Sequence, residues 1–340
     1  VWNVVLIILT FSLSILGTFI VRSGVLNSVH AFAKSEVGPA FLLFLTFILV
    51  ISFVLLFRRL GLLASRHTAD NLTSRETAFL LNNLLFSGIC FTVFLGTVFP
   101  LVAEAVRGTK LSIQAPFFNA IGAPLGTALL FLMGIATLLA WRHSSLNFLI
   151  RNFRVPVVLG VLGAALGFLL GVRAVGALII FAGAGFTGSI LIIDYARNVR
   201  VRVRQQNAPL LNAMGDTISR NRQRWGGALI HFGMVLLFVG LAGNYLGSEH
   251  TVTMRPGEVE EYGGYQLLYK GLSVTQKGNA TLRGAELEVY QGEDLVTVLH
   301  PARSFYPTQP DPLSEVAIHR TLAEDLYIVL VGENTNGSIT

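Results

Sequence analysis

The chain has 340 residues, 53% apolar and 13% charged, with a mean hydropathy of +0.63. Soluble domains carry about 25% charged residues, so this composition excludes an ordinary soluble enzyme and points to an integral membrane protein. The net charge of +6 gives no case for nucleic-acid binding, because the basic residues lie between apolar runs, where membrane topology explains them.

Residues 2–21 carry no charge. At about 1.5 Å per residue they make roughly 30 Å of helix, the thickness of the hydrocarbon core. Arg22 stops the run, since a guanidinium costs about 3 kcal/mol at a span's centre and little at its edge. Val1 is not a start methionine and no basic leader precedes the first span, so an internal piece of a longer protein is expected, not a signal peptide. His30 follows Arg22 by eight residues. In a continuing helix its imidazole would stand about 12 Å beyond Arg22, outside the bilayer. There it could ligate a metal, move a proton or simply be wetted, the last being the commonest case.

Further apolar runs at 38–57, 78–103, 120–141, 155–171, 175–193 and 226–246 bring the expected spans to seven. Asn82 and Asn83 fall inside the third and need partners across helices. Glu104 and Asp194 fall at span ends and can be solvated. The fifth and sixth spans are short and glycine-rich, with Gly163, Gly167 and Gly171 spaced by four. Small residues let helix backbones approach, so a tight pair with a short turn near Arg173 is expected. The single cysteine, Cys90, forms no disulfide within the chain and reads as a small apolar residue.

Loops 58–77, 142–154 and 194–224 hold fourteen arginines; the alternate short loops hold five basic residues, Arg22, Lys34, Arg107, Lys110 and Arg173. The positive-inside rule puts the arginine-rich set in the cytoplasm, with His30 and the tail outside. The run RNVRVRVRQQ could touch anionic lipid or a partner, although topology alone suffices for it. From Gly247 onward short alternating runs appear: YQLLYKGLSV, AELEVYQ, LVTVLHP and DLYIVLV. Turn residues separate them at Gly263-Gly264, Lys277-Gly278-Asn279 and Gly292-Glu293-Asp294. The expected architecture is an all-α polytopic membrane helix bundle over 1–246 and a small all-β domain, sandwich or barrel, over 247–340.

Of seven histidines, only His231 lies within a span, about 8 Å in from the arginine-rich side. An ionisable residue there is costly unless partnered. It reads either as a structural histidine bonded to a neighbouring helix or as an axial ligand to a b-type haem. Gly226, Gly227 and Gly233 would leave room for a flat macrocycle, but no second in-span histidine is present. His67 and His143 read as solvated among arginines, and His250, His300 and His319 as residues of the outer domain. No general base or nucleophile stands out.

The segment TFIVRSGVLNSVHAFA resembles the stretch after the tryptophan-rich motif in CcmF, the haem lyase family of bacterial cytochrome c maturation. RETAFLLNNLLF, FLGTVFPLVAE, LSIQAPFFNAIGAP, RWGGALIHFGMVLLFVG and RSFYPTQPDPLSEVAIHRTLAEDLYIVL resemble the same family in the same order, from Trp2 to about Val331. A nitrite-reductase-maturation relative shares most of these motifs. The resemblance implies attachment of haem to the C-x-x-C-H motif of apocytochrome c by thioether bonds outside the inner membrane. It implies that His30 brackets the substrate haem and that His231 is an axial ligand of a membrane haem b. The other ligand of that haem, and the first outer histidine, lie N-terminal in the family and outside this sequence. Arg22 could then meet a haem propionate, with Val25, Leu26, Val29 and Phe32 against the porphyrin edge. The implied partners are the haem chaperone CcmE, apocytochrome c, subunits of the CcmH and CcmI type, membrane lipid and quinol. Two other readings stay open. A haem or lipid transporter predicts inverted repeats and an in-span carboxylate, and neither is seen. A non-catalytic scaffold predicts that His30 and His231 are dispensable.

Overall fold

The computed structural model describes residues 1–23, 37–63, 73–108, 113–141, 143–207, 209–278, 280–306, 312–321, 324–334 and 337–340. The chain forms two compact units, 1–247 and 248–340.

The first unit is helical: α1 (Trp2–Ser23), α2 (Gly38–Arg58), α3 (Leu60–Leu63), α4 (Arg75–Arg107), α5 (Ala115–Leu138), α6 (Leu146–Leu169), α7 (Val175–Gln206), α8 (Leu210–Arg220) and α9 (Arg222–Gly243). Seven of these, all but α3 and α8, are long and apolar enough to cross a membrane. Three of them, α4, α6 and α9, start at side-chain caps. Ser74, Ser145 and Asn221 accept hydrogen bonds from the backbone N–H groups of Thr77, Phe148 and Arg224, satisfying donors that a helix leaves open. The Ser145 cap starts α6 well before the apolar run at 155. At the other extreme, α7 runs on through RNVRVRVRQQ to Gln206. Charge ends a membrane crossing there without ending the helix, because arginine is a good helix former.

α7 is the centre of the unit. Half of its apolar window is buried, against 11–17% for the other spans. Its contact with α6 is made backbone to backbone. A Cβ at Gly163 would stand 2.6 Å from the Phe181 carbonyl oxygen, and one at Gly185 would stand 2.5 Å from that of Leu159. Lipid supplies no hydrophobic drive between helices, so this close approach provides the attraction, through van der Waals contact. The expected tight pair is present, and Gly171 (φ +107°) makes the turn between the helices in a conformation that favours glycine. α5 joins α7 through a buried hydrogen bond, Thr187 Oγ1 donating to the Leu130 carbonyl at 2.7 Å. α4 lies on α5, and Arg75 donates to the Ala136 and Thr137 carbonyls at the end of α5. α9 completes the cluster, with Leu130, Ala184, Leu191 and Val235 buried together. α1 pairs with α2.

The second unit is all β, and its strands are β1 (Val259–Tyr262), β2 (Tyr265–Lys277), β3 (Ala280–Gln291), β4 (Asp294–Leu299), β5 (Ala302–Phe305), β6 (Leu313–Glu315), β7 (Ala317–Arg320) and β8 (Asp325–Ile328). β1 to β6 form one antiparallel sheet in which β3 pairs β2 on one side and β4 then β5 on the other; β7 and β8 form a separate pair. Alternation places Tyr265, Leu267 and Tyr269 of β2 and Ala285, Leu287 and Val289 of β3 in one core with Leu299, Leu326, Leu330 and Ile339. A bulge between Tyr269 and Gly271 shifts the register of the long β2–β3 ladder, with Gly271 at φ +155°. Met254 and Ile339 exchange backbone hydrogen bonds of 2.8 and 2.9 Å, tying the two ends of the unit together.

Candidate functional site

His231 lies in α9, and its environment follows from the helix repeat of about 100° per residue. His231 shares one stripe with Val235, Phe238 and Ala242. This stripe faces the protein: Val235 and Ala242 are buried, in clusters with Leu130, Ala184 and Leu191 and with Val172 and Ala177 respectively. Leu229, Ile230, Leu236, Leu237 and Leu241 point the other way and are at least half exposed. The His231 imidazole is therefore half-buried on the packed side. A Cβ at Gly227, one turn before His231 on this side, would meet nothing within 4 Å. Gly226 and Gly233 are also open, but they lie about 140–160° around the helix from His231. Only Gly227 can make room beside the imidazole.

At the arginine-rich end of the same helices stands a polar network. Arg224 of α9 places Nη2 2.8 and 3.0 Å from the two carboxylate oxygens of Asp194 in α7. Asn198 donates to the Asp194 backbone and carboxylate, and Arg197 donates to Asn152 Oδ1 of α6 at 2.9 Å. Next to the ion pair, Tyr195 meets the buried Trp225 edge to face at 5.0 Å. Asp194, a span-end acid that can be solvated, also ties α7 to α9. The signal was available in the sequence: an acid ending one span and an arginine opening the next. The network fixes the height of His231, which lies six residues, or about 9 Å, inward of Trp225.

Arg22 is exposed in the last turn of α1, whose main partner is α2. It does not share the α5–α7–α9 cluster with His231. His30 lies outside the described residues, as do Val25, Leu26, Val29 and Phe32. Among the described residues no other histidine falls within a membrane-crossing helix, and no group of three or more His, Cys, Asp or Glu is placed to hold a metal ion. Asn82 and Asn83 are half-buried in α4.

The β unit carries its own polar cluster. Glu288 accepts from Tyr290 Oη at 2.8 Å and pairs with Lys270 at 3.3 Å. Tyr290 and Lys270 hold the Glu288 carboxyl below its ordinary value, and the bond to Glu288 in turn pushes the Tyr290 phenol up. Burial raises the Tyr265 and Tyr269 phenols, helped by Glu324 and Glu333 respectively. Tyr269 Oη donates to the Gly337 carbonyl at 3.1 Å.

Residues 245–340 match the family model described as the CcmF C-terminal beta-sandwich. The chain is 33% identical to the cytochrome c-type biogenesis protein CycK of Bradyrhizobium diazoefficiens, covering 100% of this chain and 51% of the relative. It is 31% identical to the cytochrome c-type biogenesis protein CcmF of Pseudomonas aeruginosa, covering 99% and 50%. A solved structure of cytochrome c heme lyase CcmF shares the fold, with a TM-score of 0.69 at 24% identity over 99% of this chain and 50% of that one. The chain thus spans about half the length of the curated relatives it matches. Its β unit, its membrane helices and matches that run along nearly all of its own length agree: the chain is similar to about half the length of the cytochrome c-type biogenesis proteins of the CcmF family.

Proposed function

We propose that this chain works in cytochrome c biogenesis as part of a haem lyase, with two separate haem contacts. His231 is an axial ligand of a membrane-embedded haem b, and His30 is an axial ligand of the substrate haem at the outer membrane face. The observation that carries the first assignment is the position of His231: an ionisable ring within a span, half-buried on the packed stripe of α9, with open space at Gly227 one turn away. Such a residue is retained at a cost that a ligand offsets. The donor set fits in part, since one imidazole is present and the second must come from residues beyond those described.

A haem b at this site would supply electrons that keep the substrate iron reduced. The chain's own part is orientation. Packing of Val235, Phe238 and Ala242 against α5 and α7 fixes the rotation of α9, and with it the direction of the imidazole. The Asp194–Arg224 pair fixes its height. In the reaction, each apocytochrome thiol adds across one vinyl group of the substrate haem. A C–S bond forms, the thiol proton goes to the other vinyl carbon, and no net oxidation occurs. That addition is mainly a positioning task, to which His30 contributes by holding the iron. Arg22, at the end of α1, binds a propionate of that haem by a charge-assisted bond.

With the arginine-rich loops in the cytoplasm of a bacterial cell, the β unit and His30 face the periplasm. There they meet CcmE carrying haem, apocytochrome c, and CcmH- and CcmI-type subunits, while quinol reaches the bundle through lipid. The test separates the two histidines in the full-length protein. His231→Ala is expected to convert the low-spin bis-histidine absorption spectrum of the purified protein, because six-coordinate low-spin iron needs a second strong ligand. His30→Ala is expected to abolish cytochrome c maturation while leaving that spectrum intact. An unchanged spectrum in the first variant, or wild-type maturation in the second, overturns the respective assignment.

A further inference from the structure

α8 is a short helix with three distinct faces. At about 100° per residue, Leu210, Leu211, Met214 and Ile218 fall within one arc of roughly 100°, and all four are exposed. Beside that arc Ala213 and Thr217 are buried, at 0% and 1% exposure, against the rest of the helical unit. Asn212 and Ser219 lie on the side away from the apolar arc and are exposed. One face therefore meets protein, one is polar, and one is apolar without cover.

The height of α8 is fixed by the helices it connects. Tyr195 Oη donates to the Met214 carbonyl at 3.2 Å, so the middle of α8 sits level with the residue that follows the last apolar stretch of α7. The start of α9 returns to the same level, through Arg224 on Asp194 and Trp225 on Tyr195. Tyrosine and tryptophan are the residues that mark the headgroup level of a bilayer. Meanwhile α7 continues for eleven residues beyond Tyr195, about 16 Å of basic helix. Between 194 and 224 the chain carries seven arginines against two aspartates, and one of those aspartates is occupied by Arg224. Arg200, Arg204, Arg220 and Arg222 are exposed.

We infer that α8 sits at the membrane surface, with Leu210, Leu211, Met214 and Ile218 turned to the acyl chains and the surrounding arginines on the headgroups of anionic lipid. The bilayer is the apolar phase that the neighbouring spans place at this level. A basic rim above an apolar helix face matches a negatively charged surface. The inference needs only that α7 and α9 cross a membrane, and it is independent of haem binding.

The test uses the full-length protein in nanodiscs, with native cysteines replaced, Cys90 included. A single cysteine at Leu211 or at Asn212 carries an environment-sensitive fluorophore. The discs contain phosphatidylcholine and phosphatidylglycerol in fixed proportion, with one or the other brominated in its acyl chains. The Leu211→Cys label is expected to be quenched, about twofold more by brominated phosphatidylglycerol than by brominated phosphatidylcholine. The Asn212→Cys label is expected to stay unquenched. The triple variant R200Q/R204Q/R222Q should lose the lipid preference and keep the quenching. A Leu211 label that behaves like the Asn212 label overturns the inference. Equal quenching by the two lipids in the protein with its arginines overturns the anionic-lipid assignment. Disulfide crosslinking of two Leu211→Cys copies, or shielding of Leu211→Cys from aqueous maleimide without quenching, assigns the face to a protein and also overturns it.

Discussion

The two units hide apolar surface by opposite rules. In the β unit the sequence alternates, and up to the bulge after Tyr269 alternation alone says which side chains go inside: Tyr265, Leu267 and Tyr269 are buried, while Gln266 and Leu268 between them are not. In the helical unit nearly everything in a span is apolar, and large side chains such as Leu43, Leu169 and Leu229 stay exposed to what would be lipid. There the small residues mark the protein contacts: Gly160, Gly163 and Gly185 are where backbones meet, and Gly167 takes the Phe181 ring. Hydrophobicity is informative about packing only where the surroundings are water.

The contrast can be broken most strongly at Tyr269, the largest side chain with no exposure in the β core. Tyr269→Ala should cost about 3–5 kcal/mol, which is enough to unfold a unit of this size. Tyr269→Phe loses only the bond to Gly337 and should cost about 1 kcal/mol. Urea unfolding of residues 248–340, followed by circular dichroism, measures both. Equal effects would mean that the hydrogen bond, not the buried ring, holds the core.

The helical rule is sharpened by two single-methyl additions to α7. Gly185→Ala places a Cβ on the Leu159 carbonyl and should destabilise the bundle by about 1–3 kcal/mol. Gly176→Ala meets nothing within 4 Å and should be neutral or slightly stabilising through helix propensity. Thermal unfolding in detergent distinguishes them, and comparable losses would contradict close packing as the source of affinity between α6 and α7.

The smallest expected effect concerns pH and is confined to the β unit. Tyr265, Tyr269 and Tyr290 have raised pKa values, so the folded state favours their protonated form. Their contribution is full below the ordinary tyrosine value of about 10 and is lost as pH rises through the raised folded values. Glu288 is lowered; its contribution holds above the ordinary carboxylate range and fades as pH falls through its folded value. Stability of 248–340 should therefore decline at both extremes. The Tyr290→Phe variant should show a weaker alkaline decline, and an unaltered profile would discount the Glu288–Tyr290 bond.

Seven membrane-crossing helices and a β unit were legible because uninterrupted apolar runs and strict alternation are strong patterns. The glycine turns were equally plain: Gly263, Gly264, Gly278 and Gly292 all adopt positive φ. What escaped was the structure of the arginine-rich connection. Residues 194–224 read as a loop because charge ends the apolar run, whereas they hold the end of α7, all of α8 and the start of α9. The stripe at Leu210, Leu211, Met214 and Ile218 was in the sequence, but only 11 residues long, too short to stand out beside spans twice its length. At the candidate site the depth of His231 within a span was legible from the sequence alone. Which glycines share its side was not, since that depends on counting around the helix and on which stripe of α9 faces α7.

The bond from Thr187 to the Leu130 carbonyl has a consequence for how the bundle is made. Helices leave the insertion machinery in chain order, so α5 is in the membrane before α6 and long before α7 is complete. Until then the face of α5 that holds Leu130 and Gly134 lacks its partner, and α4, with Leu149 of α6, packs only on another side of the helix. α7 arrives with α6 already pressed against it, closes on α5, and only then presents the surface that α9 needs. Assembly of the cluster therefore cannot begin before α7 is in place. A ribosome pause or a substitution within 175–193 would stall the whole cluster, whereas the same disturbance in α1 or α2 would leave it to close as usual.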